Sequence, residues 1–185
     1  MGTDEVDSSV PIGVHRPPPV VVNLPPHRLE LALLQPQIAP NVGNVARLCV
    51  ATGTRLHLVR PFGFVLGDPK FKRAALDYGD RLALTVHDDA NAFRAAMSGR
   101  RLWLFDSIGT TSLFDAPFAD GDVLCLGSET RGIDPAWLEA EADRVIRIPQ
   151  VEGERCLNLA TSAGIALYAA LPRLSSRGSL GDRRI

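Results

Sequence analysis

Short apolar runs alternate along the chain with segments whose apolar residues recur at helical spacing. The runs at 29–34 (LELALL), 55–59 (RLHLV), 82–86 (LALTV), 101–105 (RLWLF), 122–127 (DVLCLG) and 144–149 (RVIRIP) have the length of strands. Between them, residues 44–53, 69–76, 88–99, 134–143 and 158–171 carry helical periodicity. Such strands lack the strict in–out alternation of a sheet with one wet face. The pattern therefore predicts an α/β fold, a mostly parallel sheet with helices on both faces. Gly53 and Gly99 stand where helices end in a left-handed residue, and Asp88 and Asp134 where N-caps belong.

The two ends break this pattern. Residues 1–28 hold six of the 14 prolines, including Pro17-Pro18-Pro19 and Pro25-Pro26, and read as an extended or disordered extension. Pro172 follows the last apolar helix, and residues 173–185 read as a polar tail. The predicted domain is 29–172.

Composition narrows the class. With 45% hydrophobic and 22% charged residues, the 185-residue chain has enough apolar content for a core, and no run approaches the ~18 apolar residues of a membrane span. Twenty basic against 21 acidic side chains give a net charge of −1, so a nucleic-acid partner has to be met by a local basic patch. Cys49, Cys125 and Cys156 are odd in number, widely spaced and set in apolar stretches, as reduced structural thiols are. No CxxC or HxxxH spacing supports a zinc site, and the first residues lack a signal-peptide pattern, which makes the cytoplasm the expected location.

Chemistry in open α/β sheets collects in the loops after strand carboxyl ends. GxGxxG, GxxxxGK[ST] and GxSxG are all absent, which disfavours a dehydrogenase, an NTPase or an α/β-hydrolase. Instead, Pro40-Asn41-Val42-Gly43-Asn44-Val45-Ala46-Arg47 puts Asn41 or Asn44 at a helix start with Arg47 about one turn inside. Gly127-Ser128-Glu129-Thr130-Arg131-Gly132 brackets an acid and a base between glycines that allow close backbone approach. Arg147-Ile148-Pro149 through Arg155-Cys156-Leu157-Asn158-Leu159 ends with Asn158 at another helix start. Taken singly, each needs only a turn, a surface ion pair or a cap to explain it.

Together and in this order, PNVGN–R, LGSETRGI and RIP–(x)₅–RCLNLA resemble the SPOUT superfamily of RNA methyltransferases. The chain is most similar to its small bacterial tRNA (cytidine/uridine-2′-O)-methyltransferases, which act on the wobble nucleotide. The resemblance runs through PNVGNVARLCVATGTRLHLVRPFGF and KRAALDYGD and covers residues 29–172. It implies a C-terminal trefoil knot, S-adenosyl-L-methionine as cofactor, tRNA as substrate and a homodimer that completes each site. Its cofactor-contacting positions fall here on Phe105, Gly127, Ile148, Cys156 and Leu157, mostly small or apolar as an adenine site requires. Its catalytic positions fall on Arg47, Asn44, Glu129 and Asn158. The last three are expected to orient the ribose and tie the loops together. A protonated guanidinium has no acceptor, so Arg47 is expected to bind phosphate or stabilise the developing alkoxide, with the proton leaving through Asn44, Glu129 or water. Since the donor's sulfonium already activates the methyl group, the reaction requires alignment rather than a metal.

Arg131 and Arg155 at the cleft mouth, with Lys70, Lys72 and Arg73, form the expected RNA-binding set. Departures from the family pattern are Ser128 in place of a common proline, Cys156 and Ala160 in place of serines, and the proline-rich head. The competing readings are a 2′-O-methyltransferase for another tRNA site or rRNA, and an RNA-binding protein of this fold without activity.

Overall fold

The computed structural model describes Leu24, residues 26–65 and residues 81–175. Apolar residues at Leu31, Ala32, Leu33 and Leu34 bury both faces of the first strand, β1 (Glu30–Leu34), which becomes the middle of a sheet. The other strands are β2 (Arg55–Val59), β3 (Leu84–His87), β4 (Leu102–Phe105), β5 (Thr111–Ser112), β6 (Val123–Leu126) and β7 (Val145–Arg147). All seven run parallel in the order β3-β2-β1-β6-β4-β7-β5. Parallel neighbours need crossovers; the one from β1 to β2 is helical, whereas the one from β4 to β6 runs through β5 and loop without a helix.

Among the described residues four α-helices cover the sheet: α1 (Ala39–Thr52), α2 (Ala90–Ala96), α3 (Pro135–Ala140) and α4 (Leu159–Ser175). Alternation along each strand sorts the two layers. Leu31, Leu33, Trp103, Phe105, Leu124 and Leu126 face α1 and α4, whereas Ala32, Leu34, Leu102, Leu104, Val123 and Cys125 face α2 and α3. A fully buried leucine of this kind contributes about 1.5–3 kcal/mol relative to its exposed state.

Several boundaries differ from those read in the sequence. α1 begins at Ala39, not 44, because Pro40 falls within its first turn, where a missing N–H breaks no helical bond. α2 is shorter than 88–99, and Asp89 rather than Asp88 caps it, accepting from Ala92 N at 2.7 Å. Residues 134–143 divide into α3 and a 3₁₀ turn at Ala142–Arg144. α4 continues through Pro172 to Ser175, with Leu171 buried and Leu174 packed on the core to hold the last turn in place. The helix expected at 69–76 lies outside the described residues.

Burial divides the cysteines. It pushes the Cys49 thiol up to about 12 and raises Cys125 further, so both stay protonated. Cys156, read with them as a structural thiol, is exposed in the segment leading to α4.

Candidate active site

The carboxyl ends of β4, β6 and β7 and the first turns of α1 and α4 enclose a cavity of about 520 Å³. Its apolar walls are Phe105, Leu126, Ile146, Ile148, Leu157 and Leu159. One side is the loop after β6, whose shape depends on two glycines. Ser128 and Gly132 exchange backbone hydrogen bonds, Ser128 N to Gly132 O at 3.1 Å and Gly132 N to Ser128 O at 2.9 Å. Gly132 takes φ +67°, which favours glycine, and a Cβ on Gly127 would stand 2.4 Å from the Gly132 carbonyl carbon. The Gly-Ser-Glu-Thr-Arg-Gly sequence thus closes a loop that bulkier residues would hold open.

The polar groups converge from three chain segments. Ile38 at the N-cap of α1 has no side chain that can cap, and Glu129 from the β6 loop fills that need. Glu129 Oε2 accepts from Gln37 N at 2.8 Å, and Oε1 accepts from Ile38 N at 3.3 Å and from Asn41 Nδ2 at 2.9 Å. A carboxylate at this end also suits the positive pole of the helix. Asn158 Nδ2 donates to Asn41 Oδ1 at 2.9 Å, while Asn158 Oδ1 caps α4 through Ala160 N at 2.9 Å and Thr161 N at 3.3 Å. With three donors on its two oxygens, Glu129 is built to hold loops in register more than to collect a proton.

The structure groups most of the expected site residues. Phe105, Gly127, Ile148, Cys156 and Leu157 line the cavity with Glu129, Arg131 and Asn158. Asn44 does not join the loops as expected. Because α1 starts five residues earlier, Asn41 is the asparagine that faces the β6 loop, and Asn44 is exposed. Arg47 is exposed as well, in a stripe with Pro40, Asn44 and Ala51, and neither it nor Asn44 lines this cavity. Arg155 is exposed, and its carbonyl accepts from Gln150 Nε2 at 3.0 Å. Lys70, Lys72 and Arg73 lie outside the described residues. Asn41 and Asp106 line the cavity without having been singled out as site residues; their positions at a helix start and immediately after a strand were the available signals.

The model of the SpoU rRNA Methylase family matches residues 28–168. The chain belongs to this family. A tRNA (cytidine(34)-2'-O)-methyltransferase of Escherichia coli (strain K12) is 39% identical over 153 residues, which is 82% of this chain and 98% of the relative. A protein of the same name from Methylovorus glucosotrophus (strain SIP3-4) is 42% identical over 143 residues, 76% of this chain and 92% of the relative. A solved structure described as "Structural insights into the 2-OH methylation of C/U34 on tRNA" superposes with a TM-score of 0.76 at 44% identity, covering 82% of this chain and 99% of that one. The SpoU methyltransferase AviRb from Streptomyces viridochromogenes in complex with AdoMet superposes at 0.66 with 27% identity, over 82% of this chain and 59% of that one.

The residues of this SpoU methylase fit an adenosyl cofactor. The cavity has the size of a small-molecule site, combining aliphatic walls and the Phe105 ring with a few convergent polar groups. Gly127 and Gly132 bring backbone rather than side chains to its edge.

Proposed function

We propose that this SpoU methylase transfers a methyl group from S-adenosylmethionine to the ribose 2′-OH of the wobble nucleotide, C or U at position 34, of tRNA. The observation that carries the reading is the cavity itself, with its cofactor-sized volume, its apolar wall and the Glu129–Asn41–Asn158 chain along one side. Similarity favours tRNA: the relatives from Escherichia coli and Methylovorus glucosotrophus, 39% and 42% identical over 98% and 92% of their own length, are both named tRNA (cytidine(34)-2'-O)-methyltransferase.

When bound, S-adenosylmethionine supplies a methyl group already activated on sulfur. The chain's own residues then supply alignment. Gly127, Ile148 and Leu157 shape the cofactor wall, and Glu129, Asn41 and Asn158 hold the loops that face the ribose. Arg47 stabilises the developing alkoxide or holds the adjacent phosphate, since a guanidinium donates but does not accept.

Arg47 and Asn44 lie outside the cavity of their own protomer, on an exposed stripe of α1. α1 packs with α4, whose outer face exposes Ile165 (36%) and Tyr168 (53%). A homodimer formed through this face brings Arg47 of one protomer to the cavity of the other, and light scattering at twice 20.0 kDa tests it. Arg131, Arg155, Lys70, Lys72 and Arg73 provide the local basic mouth for tRNA on a chain of net charge −1, working in the cytoplasm.

The deciding experiment incubates the protein with S-adenosylmethionine and total tRNA, then maps the new 2′-O-methyl group by mass spectrometry. Methylation at position 34 is the expected result. A product at another tRNA position, or on rRNA alone, overturns the substrate assignment.

A further inference from the structure

At the carboxyl end of β4, directly after Phe105, Asp106 brings a half-buried carboxylate to the cavity lining. Its backbone is anchored: its N–H donates to Ile146 O at 3.0 Å and its carbonyl accepts from Gly109 N at 3.2 Å. Gly109 lets this turn lie directly against β7, where a Cβ would stand 2.6 Å from the Ile146 carbonyl carbon. The carboxylate therefore sits on a fixed frame.

Its oxygens are poorly satisfied. Ile108 N and Ser107 Oγ approach Oδ1 at 3.3 and 3.4 Å, and Ile133 N approaches Oδ2 at 3.5 Å, all longer than an ordinary hydrogen bond. Glu129, the other carboxylate in the lining, has donors at 2.8 and 2.9 Å and faces the start of α1. Arg131, the cation in the lining, is exposed. Among the described residues, no ion pair engages Asp106. An anchored anion with weak internal donors, beside the apolar walls of a cavity, suits a cationic ligand.

We propose that Asp106 is the counter-charge for the methyl donor, a positioning residue that makes the site prefer cationic S-adenosylmethionine to its product S-adenosylhomocysteine. This rests on the cavity being the cofactor site. The donor carries a sulfonium, an ammonium and a carboxylate, for a net charge of +1. In the transfer, the bond from methyl carbon to sulfur breaks with its electron pair remaining on sulfur, the bond from that carbon to the ribose oxygen forms, and the hydroxyl proton leaves to solvent. The product is a neutral thioether of net charge zero. A fixed carboxylate loses its electrostatic partner at that point, so Asp106 holds the donor and releases the product.

Calorimetric titration of the full chain with S-adenosylmethionine, S-adenosylhomocysteine and the non-reacting cation sinefungin tests this, using wild type, Asp106→Asn and Asp106→Glu. Asp106→Asn is expected to weaken both cationic ligands about tenfold while changing the product about twofold or less, and Asp106→Glu to restore most of the preference. Equal weakening of all three ligands, or unchanged affinities in both variants, overturns the proposal and leaves the cofactor site standing. Wild-type protein that binds none of them overturns the cofactor site, and this role with it.

Discussion

Asn158 Nδ2 donates to Asn41 Oδ1 at 2.9 Å, joining residues 117 positions apart in the chain. Asn41 passes the connection on to Glu129 at 2.9 Å, so one asparagine holds the loops of all three motifs. Both its bonds are lost in Asn41→Ala, at a cost of about 0.5–1.5 kcal/mol for each, since half-buried Glu129 and exposed Asn158 can turn to water. For a chain of this size the Tm is expected to fall by about 2–4 °C per kcal/mol. Asn41→Asp is the sharper test. It sets a second carboxylate against Glu129, so its Tm and turnover fall further than those of Asn41→Ala, and the gap narrows at low pH where the pair shares a proton. Equal behaviour of the two variants across pH would contradict the tie.

The loop after β6 makes a different prediction. A Cβ on Gly127 runs into the Gly132–Ile133 peptide group, at 2.4 Å from Gly132 C, 2.6 Å from Ile133 N and 2.7 Å from Gly132 O. None of these is a flexible side-chain end, so the loop itself has to shift. Because the loop lines the cavity at the carboxyl end of the sheet while the core lies beneath it, Gly127→Ala is expected to remain folded and lose S-adenosylmethionine binding by at least about tenfold. Calorimetry checks the binding and circular dichroism the fold.

The middle of the sheet was legible because β1, β4 and β6 are buried on both faces, which leaves unbroken apolar runs such as Leu31–Leu34 and Leu102–Phe105. β5 was not, since Thr111 and Ser112 are too few to carry a period. The start of α1 was hidden for another reason. Pro40 and Gly43 look like a loop, and the capping group, Glu129, comes from about 90 residues away, where no local pattern records it. That one displacement accounts for the exchange of Asn41 for Asn44 in the loop tie. The strand-end rule pointed to the loops that form the cavity, whereas Phe105, Gly127 and Ile148 were named through the family resemblance; each stands at or just past the end of a parallel strand. Asp106 carries no motif, and only its geometry distinguishes it.

Placing Arg47 on one protomer and the cavity on the other predicts complementation between inactive variants. Arg47→Ala leaves its own cavity intact, and Gly127→Ala keeps its own Arg47. Mixed and allowed to exchange subunits, the two form heterodimers with one complete site each. Half the dimers are then mixed and each carries one of two sites, so about a quarter of wild-type activity returns. A site built within a single protomer gives no recovery, and methyl transfer to tRNA reads the difference directly.

Stability should depend on pH through a buried polar chain on the opposite side of the sheet. His57 Nδ1 lies 2.9 Å from His87 Nε2, and His57 Nε2 lies 2.7 Å from Glu30 Oε2, while Glu30 Oε1 pairs with Arg100 at 3.3 Å. Phe93 packs its ring edge-on to both imidazoles. Burial lowers the His57 pKa below its ordinary value, with the Glu30 hydrogen bond opposing and Arg55 and Arg100 adding to the depression. Burial and then His57 lower His87, against a smaller opposing pull from Asp88. In the unfolded chain both titrate near ~6.5. As pH falls through that value, the unfolded state takes up protons that the folded state refuses, so the stability present above it is progressively lost towards the depressed folded values. The Tm is therefore expected to decline between pH 7.5 and 5.5, above the range where carboxylates protonate. The double variant His57→Gln, His87→Gln removes both titrations, and its Tm should lie lower at pH 7.5 but vary less over the same interval. A wild-type Tm that holds constant or rises as pH falls through this interval would show that the pair is already protonated in the fold.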